Sequence, residues 1–216
     1  MELAGGIILG ITLLFSLLAF NPSGTSWFDG FIKFLSTPPS TEQVAGIGSA
    51  EINAEPKKQA FALSSTVFAN GSVMPARYTC DGSTALTTSG LNISPPLSIS
   101  GVPEKAQSLV LIMDDSDAVG GTRTHWVVFN IPPTVREIPE GKEPPGRVGL
   151  NSWGKIGYGG SCPSDQKEHK YVFRVYALSR TLPLRVGSTK AEILTEMKGY
   201  VLAQTELIAR YKVNIK

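Results

Sequence analysis

Three short stretches hold the residue types that chemistry most often uses. Asp114, Asp115 and Asp117 close the apolar run "LVLIMDDSD", and His125 opens the next one, "HWVVFN". "GYGGSCPSD" (Gly157 to Asp165) is a glycine-rich loop whose backbone N–H groups could line an anion-binding concavity. "HKY" sets His169 and Tyr171 at the start of a third apolar run. Both histidines of the chain therefore sit at run starts beside polar loops. Imidazole, phenol and backbone donors converging on one cleft would hold a phosphate or carboxylate through charge-assisted hydrogen bonds. Asp115 would repel that anion unless it held His125 protonated or met an amine on the same ligand. No short ligand spacing joins the histidines and acids, so neither a metal site nor a cofactor is expected. Trp126 and Trp153 read as packing residues.

These residues need strands to position them. "SLVLIMDD" (Ser108 to Asp115), "HWVVFNI" (His125 to Ile131) and "KYVFRVYAL" (Lys170 to Leu178) are predicted strands, separated by Gly-, Pro- and Asp-rich turns. Strands apolar on both faces with short connections predict a mainly β sandwich of antiparallel sheets. After them, Thr189 and Glu192 stand in capping-box spacing. Ile193, Met197, Tyr200 and Val201 follow on one helical face, which predicts a C-terminal helix packed on the sandwich.

The N-terminal part differs in kind. Leu3 to Phe20 carries no charge and approaches the ~20 residues a helix needs to cross a bilayer. Residues 1–20 are expected to be a retained membrane anchor, with a cleaved signal peptide as the alternative. Residues 21–59 mix Pro, Ser, Gly and charge and read as a linker, leaving 60–216 as the globular domain. Lys+Arg 20 against Asp+Glu 18 gives a formal charge of +2, too balanced for a nucleic-acid footprint. The two cysteines, Cys80 and Cys162, favour a disulfide if the domain lies outside the cytoplasm; in the cytosol they would be independent small core residues. The expectation is the disulfide, with an extracytoplasmic domain.

Taken in order, the motifs resemble the phosphatidylethanolamine-binding protein family, the Raf-kinase-inhibitor-like proteins, and particularly the bacterial and archaeal branch. The resemblance rests on Asp114-Asp115-Ser116-Asp117-Ala118, His125-Trp126-Val127-Val128, Gly160-Ser161-Cys162-Pro163 and His169-Lys170-Tyr171-Val172-Phe173. "YTCDG" (Tyr78 to Gly82), "NISPPLSISGVP" (Asn92 to Pro103) and "ALSRTLPL" (Ala177 to Leu184) also fit. It implies that fold and an anion pocket made by Asp115, His125, the Gly160-Ser161 backbone, His169 and Tyr171, with Asp117 bracing the loop. Ser116, Val119, Ser161 and Ser164 replace prolines of the family pattern, an insertion runs from Ser83 to Leu91, and Tyr200 stands where prokaryotic relatives commonly have histidine. Lost prolines remove conformational restraint, so the resemblance implies a looser pocket or a different specificity.

The function expected is a non-enzymatic module that binds a small phosphate-bearing or anionic ligand at the outer membrane face. The resemblance adds regulation of a kinase or protease. Two alternatives are a hydrolase using Asp115 and His125, and a serine protease inhibitor acting through the Glu140 to Arg147 loop.

Overall fold

The computed structural model describes residues 59–80 and 91–213. The expected anchor, nearly all of the linker and all of the insertion except Leu91 lie outside the described residues. Among the described residues, no helix is long and apolar enough to cross a membrane.

Among the described residues, nine strands and one α-helix follow in chain order: β1 (Ala62–Ser64), β2 (Ser72–Val73), β3 (Leu97–Ser100), β4 (Ser108–Asp115), β5 (Arg123–Ile131), β6 (Glu137–Ile138), β7 (Arg147–Val148), β8 (His169–Leu178), α1 (Lys190–Glu196) and β9 (Val201–Tyr211). They form a sheet ordered β1-β3-β6 and a larger one ordered β2-β9-β8-β4-β5-β7. All pairings are antiparallel except the short one between β2 and β9.

Strand β4 shows why the sequence makes a two-sided sheet. Leu109, Leu111 and Met113 enter the core between the sheets, with Leu63, Leu97 and Ile99 of the small sheet and Trp126 and Phe173 of the large one. Val110 and Ile112 point the other way, to a second cluster with Val127, Phe129, Ile193 and Met197. Alternation with no polar face is what a strand covered on both sides requires. Helix α1 covers that second face, and Asp114 helps hold it by accepting hydrogen bonds from Lys190 Nζ at 2.7 Å and Thr124 Oγ1 at 2.9 Å.

The capping box at Thr189 and Glu192 forms as expected, but the helix stops at Glu196. Gly199 turns the chain with φ 83°, and residues from Val201 onward form β9 instead of helix. Leu207, Ala209 and Tyr211 alternate inward in β9 and pair along β8, so a period of two prevails over the apparent helical stripe. Tyr200, placed by the sequence on the apolar helical face, is exposed, with the Arg180 guanidinium 4.5 Å above its ring.

Candidate functional site

Strand β4 leaves the large sheet at the end where β5 and β8 enter it, since Asp115 pairs with both Arg123 and Tyr171. Simple alternation would send His125 with Val127 and Phe129 to the helix side. The ladder slips, however: Met113 faces Trp126 while Asp114 faces Thr124, leaving His125 as the extra residue of a bulge. A bulge re-aims a side chain. The His125 ring accordingly lies edge-on to Tyr171, with centroids 5.2 Å apart, although Tyr171 belongs to the core between the sheets.

A cavity of about 240 Å³ opens there, lined by Asp115, Arg123, His125, Trp153, Cys162, Ser164, His169 and loop residues beside them. His125 is buried and bonds Gly159 O through Nδ1 at 2.8 Å. Burial pulls its pKa below the ordinary imidazole value, against the opposing pull of the Gly159 carbonyl and the Asp115 carboxylate. The Gly159 carbonyl requires a proton on Nδ1, the Gly160 carbonyl adds a weaker pull on the ring, and no side chain bonds Nε2 among the described residues.

His169 is built differently. Its Nδ1 lies 2.8 Å from Asp115 Oδ2 and its Nε2 2.9 Å from Asp165 Oδ1. Ionised carboxylates only accept hydrogen bonds, so both ring nitrogens must donate and the ring is an imidazolium. Burial works against that charge, but Asp115 and Asp165 outweigh it, and the pKa is raised. Asp115 thus hydrogen-bonds His169 and reaches His125 only through its charge. Its other oxygen accepts from the backbone N–H of Asp117, whose own carboxylate accepts from Lys170 N at 2.9 Å and ties the loop to β8.

The remaining expected site residues are placed otherwise. Gly160 lines a neighbouring cavity, and its N–H is already donated to Asn92 Oδ1 at 2.6 Å. A side chain at 160 would collide, since a Cβ there would lie 2.8 Å from the Thr79 backbone carbon. Ser161 is fully buried, with its hydroxyl directed at the Met74 sulfur. Tyr171 packs against both imidazoles, and among the described residues its buried hydroxyl lies near Asp115, Ser161 and the Cys162 backbone without a well-formed hydrogen bond to any of them. Burial, followed by the nearby Asp115 carboxylate, raises its pKa well above the usual phenol value. The structure therefore gathers Asp115, His125 and His169 at the cavity, sets Tyr171 behind the rings, and has the Gly160 N–H engaged by Asn92.

Three residues at or beside the cavity were not among the expected site residues. Arg123 is an exposed cation opposite Asp115, Asp165 completes the His169 clamp, and Trp153 packs edge-on to His125 with centroids 4.9 Å apart. Trp153 is 47% exposed, so it is a rim residue and not the packing residue its type suggested. A signal for Asp165 was present, as a carboxylate four residues before a histidine. The expected disulfide is formed: Cys80 and Cys162 are joined across a sequence separation of 82. It links the segment after the Ala76–Tyr78 turn to the glycine-rich loop.

Comparison with known proteins agrees with this fold. The family model described as phosphatidylethanolamine-binding protein matches residues 64–212. A UPF0098 protein of Pyrococcus abyssi is 44% identical over 157 residues, covering 68% of this chain and 83% of its own length. A UPF0098 protein of Methanothermobacter thermautotrophicus is 46% identical over 145 residues, covering 64% and 90% respectively. Among solved structures, a putative phosphatidylethanolamine-binding protein homologue from Chlamydia trachomatis superposes with TM-score 0.66 at 39% identity, covering 72% of this chain and 99% of that one. An Escherichia coli protein described as a new member of the mammalian family superposes with TM-score 0.64 at 31% identity, covering 72% and 100%. With its fold, motifs and relatives in agreement, the chain belongs to the phosphatidylethanolamine-binding protein family.

Proposed function

We propose that the cavity at His125 binds a small phosphate-bearing or otherwise anionic group, in a module that acts by binding and not by turnover. The observation that carries this reading is His125 itself. It is a buried imidazole on a bulge, with Nδ1 fixed to a carbonyl and no side chain on Nε2, on a cavity that Arg123 also lines. Asp115 does not empty the site of anions, because the His169 imidazolium and the Arg123 guanidinium together offset the charges of Asp115 and Asp165. The same carboxylate suits an amine on the ligand, which favours a zwitterion such as a phosphorylated amino alcohol. A bound anion draws a proton onto His125 Nε2, so binding and protonation are coupled.

The hydrolase reading requires His125 to be oriented by Asp115, and that pair is not formed; a carbonyl orients His125 instead. The Glu140 to Arg147 loop is pinned by Glu140 to Arg77 and Tyr78 and by Glu143 to Trp126. A rigid exposed loop is a surface for a kinase or protease partner, and that role belongs to the proposal as regulation by the ligand-binding module. The proposal also keeps the module tethered by residues 1–20 at the outer membrane face, where its disulfide would persist.

Calorimetry with phosphorylethanolamine tests the reading. His125→Ala should weaken binding roughly ten- to a hundredfold, the effect of losing one charge-assisted hydrogen bond. Affinity should rise as pH falls through the pKa that His125 has in the complex, and level off below the lowered pKa of the free protein. Equal affinity for both proteins, with no pH dependence, places the ligand elsewhere.

A further inference from the structure

Two stretches match the Asn-X-Ser pattern on which a sugar is attached to asparagine, Asn70-Gly71-Ser72 and Asn92-Ile93-Ser94. A pattern of three residues is short, so the surroundings of each amide decide between them. Asn70 is exposed, in a turn that leads into β2 and is closed by Ser72 N donating to Ala69 O at 3.0 Å. The turn is fastened to β9 through its remaining polar groups. Gly71 N donates to Ile208 O at 2.7 Å, Gly71 O accepts from Arg210 Nε at 2.6 Å, and Asn70 Oδ1 accepts from Ile208 N at 2.8 Å. Asn70 Nδ2, on the same amide, has no hydrogen bond among the described residues. A substituent on that nitrogen leaves every bond of the turn intact. Asn92 differs. Its Oδ1 lies 2.6 Å from Gly160 N, it lines the cavity beside the His125 site, and Ser94 is buried.

The place of the turn in the sheet gives a substituent something to do. Strand β8 pairs along the length of β9, whereas on the other side β2 covers only Ala209 and Arg210. Ile208 and Arg210 direct backbone groups to that outer side, and the alternation of a strand sends those of Gln204 and Glu206 there too. No strand pairs with them among the described residues. Val73, next to the turn, is 60% exposed. An uncovered edge with apolar side chains is a template for pairing with another chain, and natural sheets shield such edges.

We propose that Asn70 Nδ2 is the attachment site of an N-linked oligosaccharide, which stands over the open edge of β9. The inference rests on the reading that the domain lies at the outer membrane face, and it makes no use of the anion cavity. The donor is a lipid-linked oligosaccharide pyrophosphate, used by a membrane oligosaccharyltransferase. The bond from the sugar C1 to the pyrophosphate oxygen breaks, a bond from C1 to Asn70 Nδ2 forms, and one Nδ2 proton is lost. The lipid pyrophosphate leaves with the electron pair.

The test is peptide mass spectrometry on the full-length protein purified from the membranes of cells that make it, with the thiol state read on the same sample. The peptide that holds Asn70 should carry the mass of an oligosaccharide, and the peptide that holds Asn92 should not. Asn70→Gln and Ser72→Ala should each abolish the added mass. The second variant keeps the amide and its bond to Ile208 N, so its loss of sugar reads recognition of the triplet and not a failure to fold. Enzymatic removal of the sugar should increase self-association in size-exclusion chromatography, and an unchanged profile overturns the covering role. An unmodified Asn70 in protein whose Cys80 and Cys162 are joined overturns the inference and leaves the outer-face reading standing. An unmodified Asn70 with two free thiols sinks both. Sugar on Asn92 alone, or sugar that persists in Ser72→Ala, also overturns the assignment.

Discussion

At the scale of residues, two imidazoles a few ångströms from one tyrosine ring have opposite electrostatic fates. His125 has one carbonyl partner and a pKa lowered chiefly by burial; His169 is held between two carboxylates and has a raised one. The signs follow for stability. The His169 clamp contributes in full below the unfolded-state pKa of about 6.5, and its contribution fades as pH rises through the higher folded value. His125 acts in reverse: below about pH 6.5 the unfolded chain takes up a proton that the folded one resists, which lowers stability. Asp165→Asn should lower the His169 titration midpoint, because an amide oxygen still accepts but carries no charge, and should leave His125 nearly unmoved. Imidazole C–H resonances followed by NMR against pH will read both. That these residues would meet was legible in their places at run starts. Which carboxylate serves which imidazole was not, because the bulge that turns His125 exists only in the register between two strands.

At the scale of elements, the three central strands were legible because β4, β5 and β8 are long, apolar on both faces and ended by turn residues. The region after Thr189 shows where one-dimensional patterns compete. Its capping box correctly marks a helix start, and Ile193 and Met197 form the buried stripe. "VLAQTELIARY" satisfies a helical stripe loosely and a strand alternation well, and the open edge of β8 decides in favour of the strand. The short strands β2, β6 and β7, of two residues each, leave no periodic trace at all. Because α1 has only seven residues, its cap carries a large share of its local stability. Thr189→Ala should destabilise the protein by about 1 kcal/mol in urea unfolding, with an unchanged denaturant slope.

At the scale of the whole molecule, the two sheets and α1 enclose two apolar clusters, and one covalent cross-link among the described residues joins distant segments. Closing a loop of 82 residues stabilises the folded state by about 4.5 kcal/mol in the chain-entropy model. Replacing both Cys80 and Cys162 by serine should lower the unfolding free energy by an amount of that order, read from guanidinium transitions of the two proteins. The position of the bond matters as much as its strength. Cys162 is exposed and lines both cavities, so an external thiol would approach the bond beside them. Thermodynamic linkage is reciprocal: if reduction slackens that lining and weakens an occupant, the occupant must hinder reduction by the same free energy. Occupancy of the cavities and the redox poise of the surroundings are then two readings of a single equilibrium.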